Sequence, residues 1–171
     1  MFKEYFFDRI IMPPDDFEAL LTHNRQDVYF VAAMTVIALC NYKQSKETCY
    51  AMINSLRNPA DPISEYQKQF LRDRLGGKEY KPYSYFRGST PENGYTPSSP
   101  YMIKVSSMQS SFATENWATL WLRSSGADSD RQIRFREKRS THEWYLIEDF
   151  LLADIREPRV DDSGKVIDPW G

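Results

Sequence analysis

Apolar residues recur every three to four positions before about residue 75 and alternate with polar ones after about residue 100, so the chain predicts helices first and strands afterwards. Pro13-Pro14, followed by Asp15 and by Glu18 three residues later, predicts a helix start with Asp15 as cap and Glu18 reaching back. Phe17, Leu20 and Leu21 give that helix one apolar face. From about Asp27 to Lys43 the apolar residues Val28, Phe30, Val31, Met34, Val36, Ile37 and Leu39 surround the axis. A helix of that kind is buried on most sides, with Asp27 near its positive end. Ser45 is the expected cap of a third helix, which Asn58-Pro59 ends because the residue before proline disfavours helical geometry. Cys49, Met52, Ile53 and Leu56 form its inward face. A fourth helix begins near Pro62, or at Ser64 with Gln67 as reciprocal cap, and Gly76-Gly77 stops it.

Beyond residue 100 the period is two. Tyr101, Ile103 and Val105 alternate with Met102, Lys104 and Ser106; Ala118, Leu120 and Leu122 with Trp117, Thr119 and Trp121; and Ile133 and Phe135 with Gln132, Arg134 and Arg136. A last strand, about Glu143 to Glu148, carries Trp144, Tyr145, Leu146 and Ile147 without alternation. Turn-forming runs at 124–130 and 139–141 separate these segments. The expected fold is therefore α+β, with about four N-terminal helices packed on a four-stranded antiparallel meander. We read residues 1–171 as a single domain with a helical half at 1–75, a long loop at 76–100, the sheet at 101–150 and a tail at 156–171.

The joining loop, GGKEYKPYSYFRGSTPENGYTPSSP, holds four Gly, four Pro and five aromatics and has no period of its own. Disordered segments are poor in large rings, so this one is expected to be ordered and pinned to the body. The tail ends in Ile167 and Trp170 among polar residues, which predicts an apolar anchor folded back onto the protein.

A formal net charge of −2 and near balance of acids and bases remove any global reason to expect nucleic acid or a membrane as partner. Lys3, Glu4, Asp8 and Arg9 interrupt the N-terminal apolar residues, so no signal-peptide core is present there. The most apolar run, Val28 to Cys40, is 13 residues, short of the ~20 that span a bilayer. A cytoplasmic location is the expectation, with Cys40 and Cys49 as buried, reduced thiols beside a helix–helix turn.

Candidate chemistry gathers on the strands. With Ala118, Leu120 and Leu122 facing the helices, Trp117, Thr119 and Trp121 project to the other side, beside Arg134 and Arg136 of the next strand. Indoles next to guanidiniums suit cation–π contact with a peptide, a flat ligand or an acidic group, unless the loop or the tail covers them. The loop residues Tyr83, Tyr85, Phe86 and Tyr95 are candidates for the same surface. Catalytic groups are not assigned: His142 and Glu143 stand in a turn, Asp128 and Asp130 suit a hairpin turn better than a calcium loop, and His23 reads as a surface or capping residue. Two histidines and two cysteines lack zinc spacing, so no metal and no cofactor is expected. The favoured reading is a non-catalytic binding module for an unknown protein, peptide or small molecule. The alternatives are a small ligand-binding or hydrolytic enzyme with a pocket between sheet and helices, and a homodimer that buries the tryptophan face.

The strings SYFRGSTPENGYTP, SSGADSDRQIRFREK, LLADIREP and DPWG resemble a bacterial domain family of unknown function over nearly the whole chain. That resemblance implies a stand-alone bacterial domain and carries no functional residues. A fainter likeness is to the cone-shaped nuclear-transport-factor-like folds, which would imply helices against a curved sheet enclosing a pocket.

Overall fold

The described residues form five strands, one more than the sequence pattern predicts. In the computed structural model, which describes residues 1–168 and Trp170, these are β1 (Phe2–Phe7), β2 (Tyr101–Ser106), β3 (Trp117–Leu122), β4 (Arg131–Lys138) and β5 (Glu143–Asp149), and side chains alternate inward and outward along β1 to β4. They form one antiparallel sheet in the order β1-β2-β3-β4-β5. The additional strand pairs along its length with β2, from Phe2 opposite Ser106 to Phe7 opposite Tyr101.

The four helices are α1 (Pro14–Asn24), α2 (Val28–Cys40), α3 (Lys46–Leu56) and α4 (Glu65–Leu75). The caps at Ser45 and Ser64 follow the sequence, and Asp27, expected only as a charge near the positive end of α2, caps it as well. The Asp27 side chain accepts from the amides of Tyr29 and Phe30, Ser45 accepts from Thr48, and Ser64 with Gln67 completes a reciprocal capping box. At α1 the expectation fails: Pro13 is the cap residue and no side chain caps, while Asp15 and Asp16 lie inside the first turn. Pro14 there needs no partner for an amide and has its φ preset, so the helix opens one residue before Asp15.

Helix α2 is the centre of the core, with Val31 to Cys40 all buried. One hydrophobic cluster joins it to Phe17 and Leu21 of α1, Met52 and Leu56 of α3, and the inward row Ile103, Val105, Leu120, Ile133, Phe135 and Leu146 of the sheet. Buried Asn41, in a short 3-10 turn after α2, donates to the carbonyls of Ile10 and Ile37 and accepts from the amide of Met12. Those bonds tie the segment between β1 and α1 to the central helix, leaving none of the amide's polar atoms stranded in the core.

The loop at 76–100 is ordered, as expected, and it is built into the sheet. Strands β2 and β3 pair only at Val105 with Leu122 and Ser106 with Trp121. Where they diverge the loop enters: Phe86 bridges Ile103, the Arg87 amide donates to the Met102 carbonyl at 2.9 Å, and the Ser125 amide donates to the Ser84 carbonyl at 3.0 Å. The loop's rings follow its backbone inward. Tyr85 and Phe86 are buried, and the Tyr85 hydroxyl donates to the Leu151 carbonyl at 2.5 Å.

The tail does turn back, through Arg159 to the Pro91 carbonyl and Ile167 to the Arg159 carbonyl, but not on an apolar anchor. Ile167 is 49% exposed and Trp170 is 94% exposed, so the docking is by backbone hydrogen bonds. The last part of the DPWG string includes Pro169 and Gly171, which lie outside the described residues. Among the described residues no helix is long and apolar enough to cross a membrane.

Candidate functional site: the outer sheet face

The helices cover one side of the sheet, so alternation assigns every second strand residue to the other side. On β3 those residues are Trp117, Thr119 and Trp121, and on β4 they are Gln132, Arg134 and Arg136. Register sets Trp117 opposite Arg136, Thr119 opposite Arg134 and Trp121 opposite Gln132. The guanidinium carbons of Arg134 and Arg136 lie 5.1 and 5.3 Å from the Trp117 ring centre. Each such contact contributes about 0.5–1 kcal/mol at an exposed site and, more usefully, holds a long cationic side chain in place. Arg134 also donates to Glu148 at 2.9 Å, whereas Arg136 has no carboxylate partner among the described residues.

Both tryptophans remain half-buried. The loop does not reach over them, because all five of its rings are used elsewhere: Tyr83, Tyr85 and Phe86 pack with the core, and Tyr80 stacks on Tyr95 at 5.5 Å. The tail is occupied against Pro91 and Gly94. Trp117, Trp121, Arg134 and Arg136 thus come together on one open face. Tyr85, Phe86 and Tyr95 leave the candidate list as buried residues, and Tyr83 as a half-buried one on the helix side.

Strand β1 brings residues that the sequence reading did not include. Phe2 and Phe6 project outward, 53% and 57% exposed, with Lys104 over Phe2 at 4.3 Å and Arg87 over Phe6 at 5.7 Å. Glu4 stands between them, opposite Lys104. The signal was available in the alternation of Phe2, Glu4 and Phe6 with Lys3, Tyr5 and Phe7.

Two clefts lie away from this face. One of about 1110 Å³ runs between the loop and the tail, with Lys43, Tyr80, Tyr83, Tyr95, Glu157 and Asp161 among its walls. The other, about 440 Å³, opens between β1, the α1–α2 corner and β5, lined by Lys3, His23, Asp27, Tyr29, Phe112 and Trp144. Its polar centre is already engaged, since Asp27 accepts from Tyr5 at 2.5 Å and from Lys3 at 3.4 Å. Burial, and then the Asp27 carboxylate, hold the Tyr5 hydroxyl well above the usual tyrosine range.

The groups on which a hydrolytic reading would draw do not converge. His142, exposed in the β4–β5 turn, faces Glu137 at 3.6 Å. Asp128, in the β3–β4 turn at the other end of the strands, pairs with Arg156 at 2.7 Å. Ser124 of the same turn donates to Ser84 at 2.6 Å, so this stretch fastens the loop. Among the described residues no three His, Cys, Asp or Glu side chains gather as a metal site. Cys40 and Cys49 are free thiols, and burial pushes Cys49 up to about 12 and Cys40 well above its ordinary value.

A small α+β domain with one sheet face under helices and the other open to solvent is the class these observations define. Residues 13–159 match the family described as Domain of unknown function (DUF6935), and the chain belongs to it. The match begins after β1 and ends where the tail turns back. No curated protein and no solved structure matches the chain, so the likeness to cone-shaped nuclear-transport-factor folds gains nothing from them.

Proposed function

We propose that the protein is a binding module that docks a protein or peptide partner on the outer face of its sheet, with Trp117, Trp121, Arg134 and Arg136 at the centre of contact. The observation that supports this is the contact of both Arg134 and Arg136 with the Trp117 ring on a face that neither the loop nor the tail covers. Aromatic residues and arginine are the side chains that concentrate binding energy at interfaces, because each brings much contact area for little lost freedom. The test is binding of the full chain to a peptide array, followed by Trp117→Ala and Trp121→Ala with circular dichroism to confirm folding. The expected result is a loss of roughly tenfold or more for each peptide bound, the range that removal of an interface anchor commands. Peptides whose affinity is unchanged in both variants would place the contact elsewhere and sink the proposal.

A further inference from the structure

The charges on the outer face are lopsided. Outward positions carry Lys104, Arg134, Arg136 and, continuing the β3 alternation, Arg123, with Arg87 above Phe6 at the border. Against these stand Glu4, opposite Lys104; Glu148, bonded to Arg134; and Glu143, which is offset by the further outward cation Lys138 opposite it. A chain of formal net charge −2 therefore presents a net positive face on one side of its sheet.

Spacing narrows the partner further. Arg134 and Arg136 are two residues apart on β4, which sets their side chains about 6.5–7 Å apart on one face. Carboxylates at i and i+2 of an extended peptide have the same separation. On the neighbouring strand Trp117 stands level with Arg136, opposite it, and Trp121 stands one step beyond Arg134, opposite Gln132. From the binding-module reading above, on which this inference rests, we infer that the partner is an extended acidic segment in which two carboxylates, two residues apart, are followed two residues further on by an apolar side chain on the same face. The carboxylates accept from Arg136 and Arg134, and the apolar side chain lies on Trp121 at the next step of the same face, while the residues between them point away from the sheet. Arginine's planar fork suits bidentate carboxylate pairing, and stacking on Trp117 fixes its direction beforehand.

Other occupants fit less well. Two copies face to face would bring Lys104, Arg123, Arg134 and Arg136 of each against those of the other, an arrangement of like charges that opposes association. A nucleic-acid strand needs a continuous cationic track and free ring faces for stacking, whereas Glu4 and Glu148 interrupt the charge and guanidiniums already occupy Trp117.

Glu148 then acts as a built-in competitor, holding Arg134 until a partner carboxylate replaces it. That gives a test with opposite signs. Fluorescence anisotropy of the full chain would compare a labelled peptide Glu-Thr-Glu-Thr-Leu with Gln-Thr-Gln-Thr-Leu, a labelled oligothymidylate and phosphatidylserine vesicles. The Glu peptide is expected to bind about tenfold or more tightly than the Gln peptide, and to weaken as salt rises from about 0.05 M to about 0.5 M. Arg136→Glu should abolish that preference and Arg136→Lys should weaken it in part. Glu148→Gln should tighten binding of the Glu peptide by a few-fold and leave the Gln peptide unchanged. Equal affinity for both peptides, with both lost in Trp117→Ala, would overturn the acidic class and keep the binding module. Tighter binding of the oligothymidylate or the vesicles would also overturn it. No peptide binding here together with no tryptophan-dependent peptide on the array would overturn both.

Discussion

Gly126 has no room for a side chain: a methyl group there would stand 2.2 Å from the Tyr95 hydroxyl oxygen and 2.9 Å from the Ile155 side chain. That hydroxyl donates to the Arg156 carbonyl at 2.5 Å, so it cannot swing away without losing its partner. Gly126→Ala is expected to lower unfolding free energy by about 1–3 kcal/mol, the usual cost of overpacking, read from urea denaturation. Tyr95→Phe removes the obstructing oxygen, and the double variant should recover part of the loss; full additivity of the two single effects would reject the steric account. The same hydroxyl reports on alkaline stability. Burial raises Tyr95 from 10.0 to about 12, and it holds Tyr5, Tyr83 and Tyr85 higher still. A raised phenol pKa means that the native state keeps protons which the unfolded chain releases above 10.0. Stability is therefore fully present below that pH and declines as pH rises through the window up to about 12, where Tyr95 itself ionises. Absorbance titration at alkaline pH should show these tyrosines ionising only as the fold is lost; ionisation well before unfolding would contradict their burial.

Asp27 decides how the central helix begins. Its carboxylate caps α2 through the amides of Tyr29 and Phe30, and it also receives Tyr5 and Lys3 from β1, so one side chain fastens an edge strand to the helix under it. Asp27→Ala should cost about 2 kcal/mol, the upper end for a lost cap, since the half-buried Tyr5 hydroxyl also loses its acceptor. Asp27→Asn keeps an acceptor oxygen and should lose clearly less; equal losses in a denaturation series would show that the cap is not what matters. Ser45 and Ser64 are legible as caps because capping is local, Asp27 is legible only as a charge at the helix start, and the alternation of β2, β3 and β4 is legible as well. Strand β5 was recognised without its faces, and the structure supplies the reason. Its register against β4 slips at Arg134/Phe135, where Ile147 is extra, so the apolar run Trp144 to Ile147 obeys no period of two. Strand β1 is not legible in the sequence for a different reason. Its partner β2 is nearly a hundred residues away, and an edge strand with charges on both faces resembles a polar N-terminus until that partner is known.

At the scale of the whole molecule, the loop between the helical and sheet halves determines how the two cooperate. Composition indicated that its rings were bound to the body; where they were bound was not legible, because the gap between β2 and β3 that receives them exists only once the sheet has formed. Alternation alone assigns Trp117 and Arg136 outward, but whether the loop covers them is not legible in the sequence for the same reason; only its inward path in the structure leaves them uncovered. Tyr85 and Phe86 pack in one cluster with Ile37 and Leu39 of α2 and with Ile103 and Leu120 of the sheet, so neither half can expose its core without disturbing the other. Far-UV circular dichroism follows mainly α1 to α4, and the change in tryptophan emission on unfolding follows Trp117, Trp121 and Trp144, all on strands, because Trp170 in the tail is already 94% exposed. If the loop couples the halves, the two probes should trace one urea transition with the same midpoint. Tyr85→Ala, which empties a buried ring site at the joint, should lower that midpoint by the equivalent of about 3–5 kcal/mol in both probes together. A variant in which emission changes before the helical signal would show that sheet and helices unfold separately and that the loop only connects them.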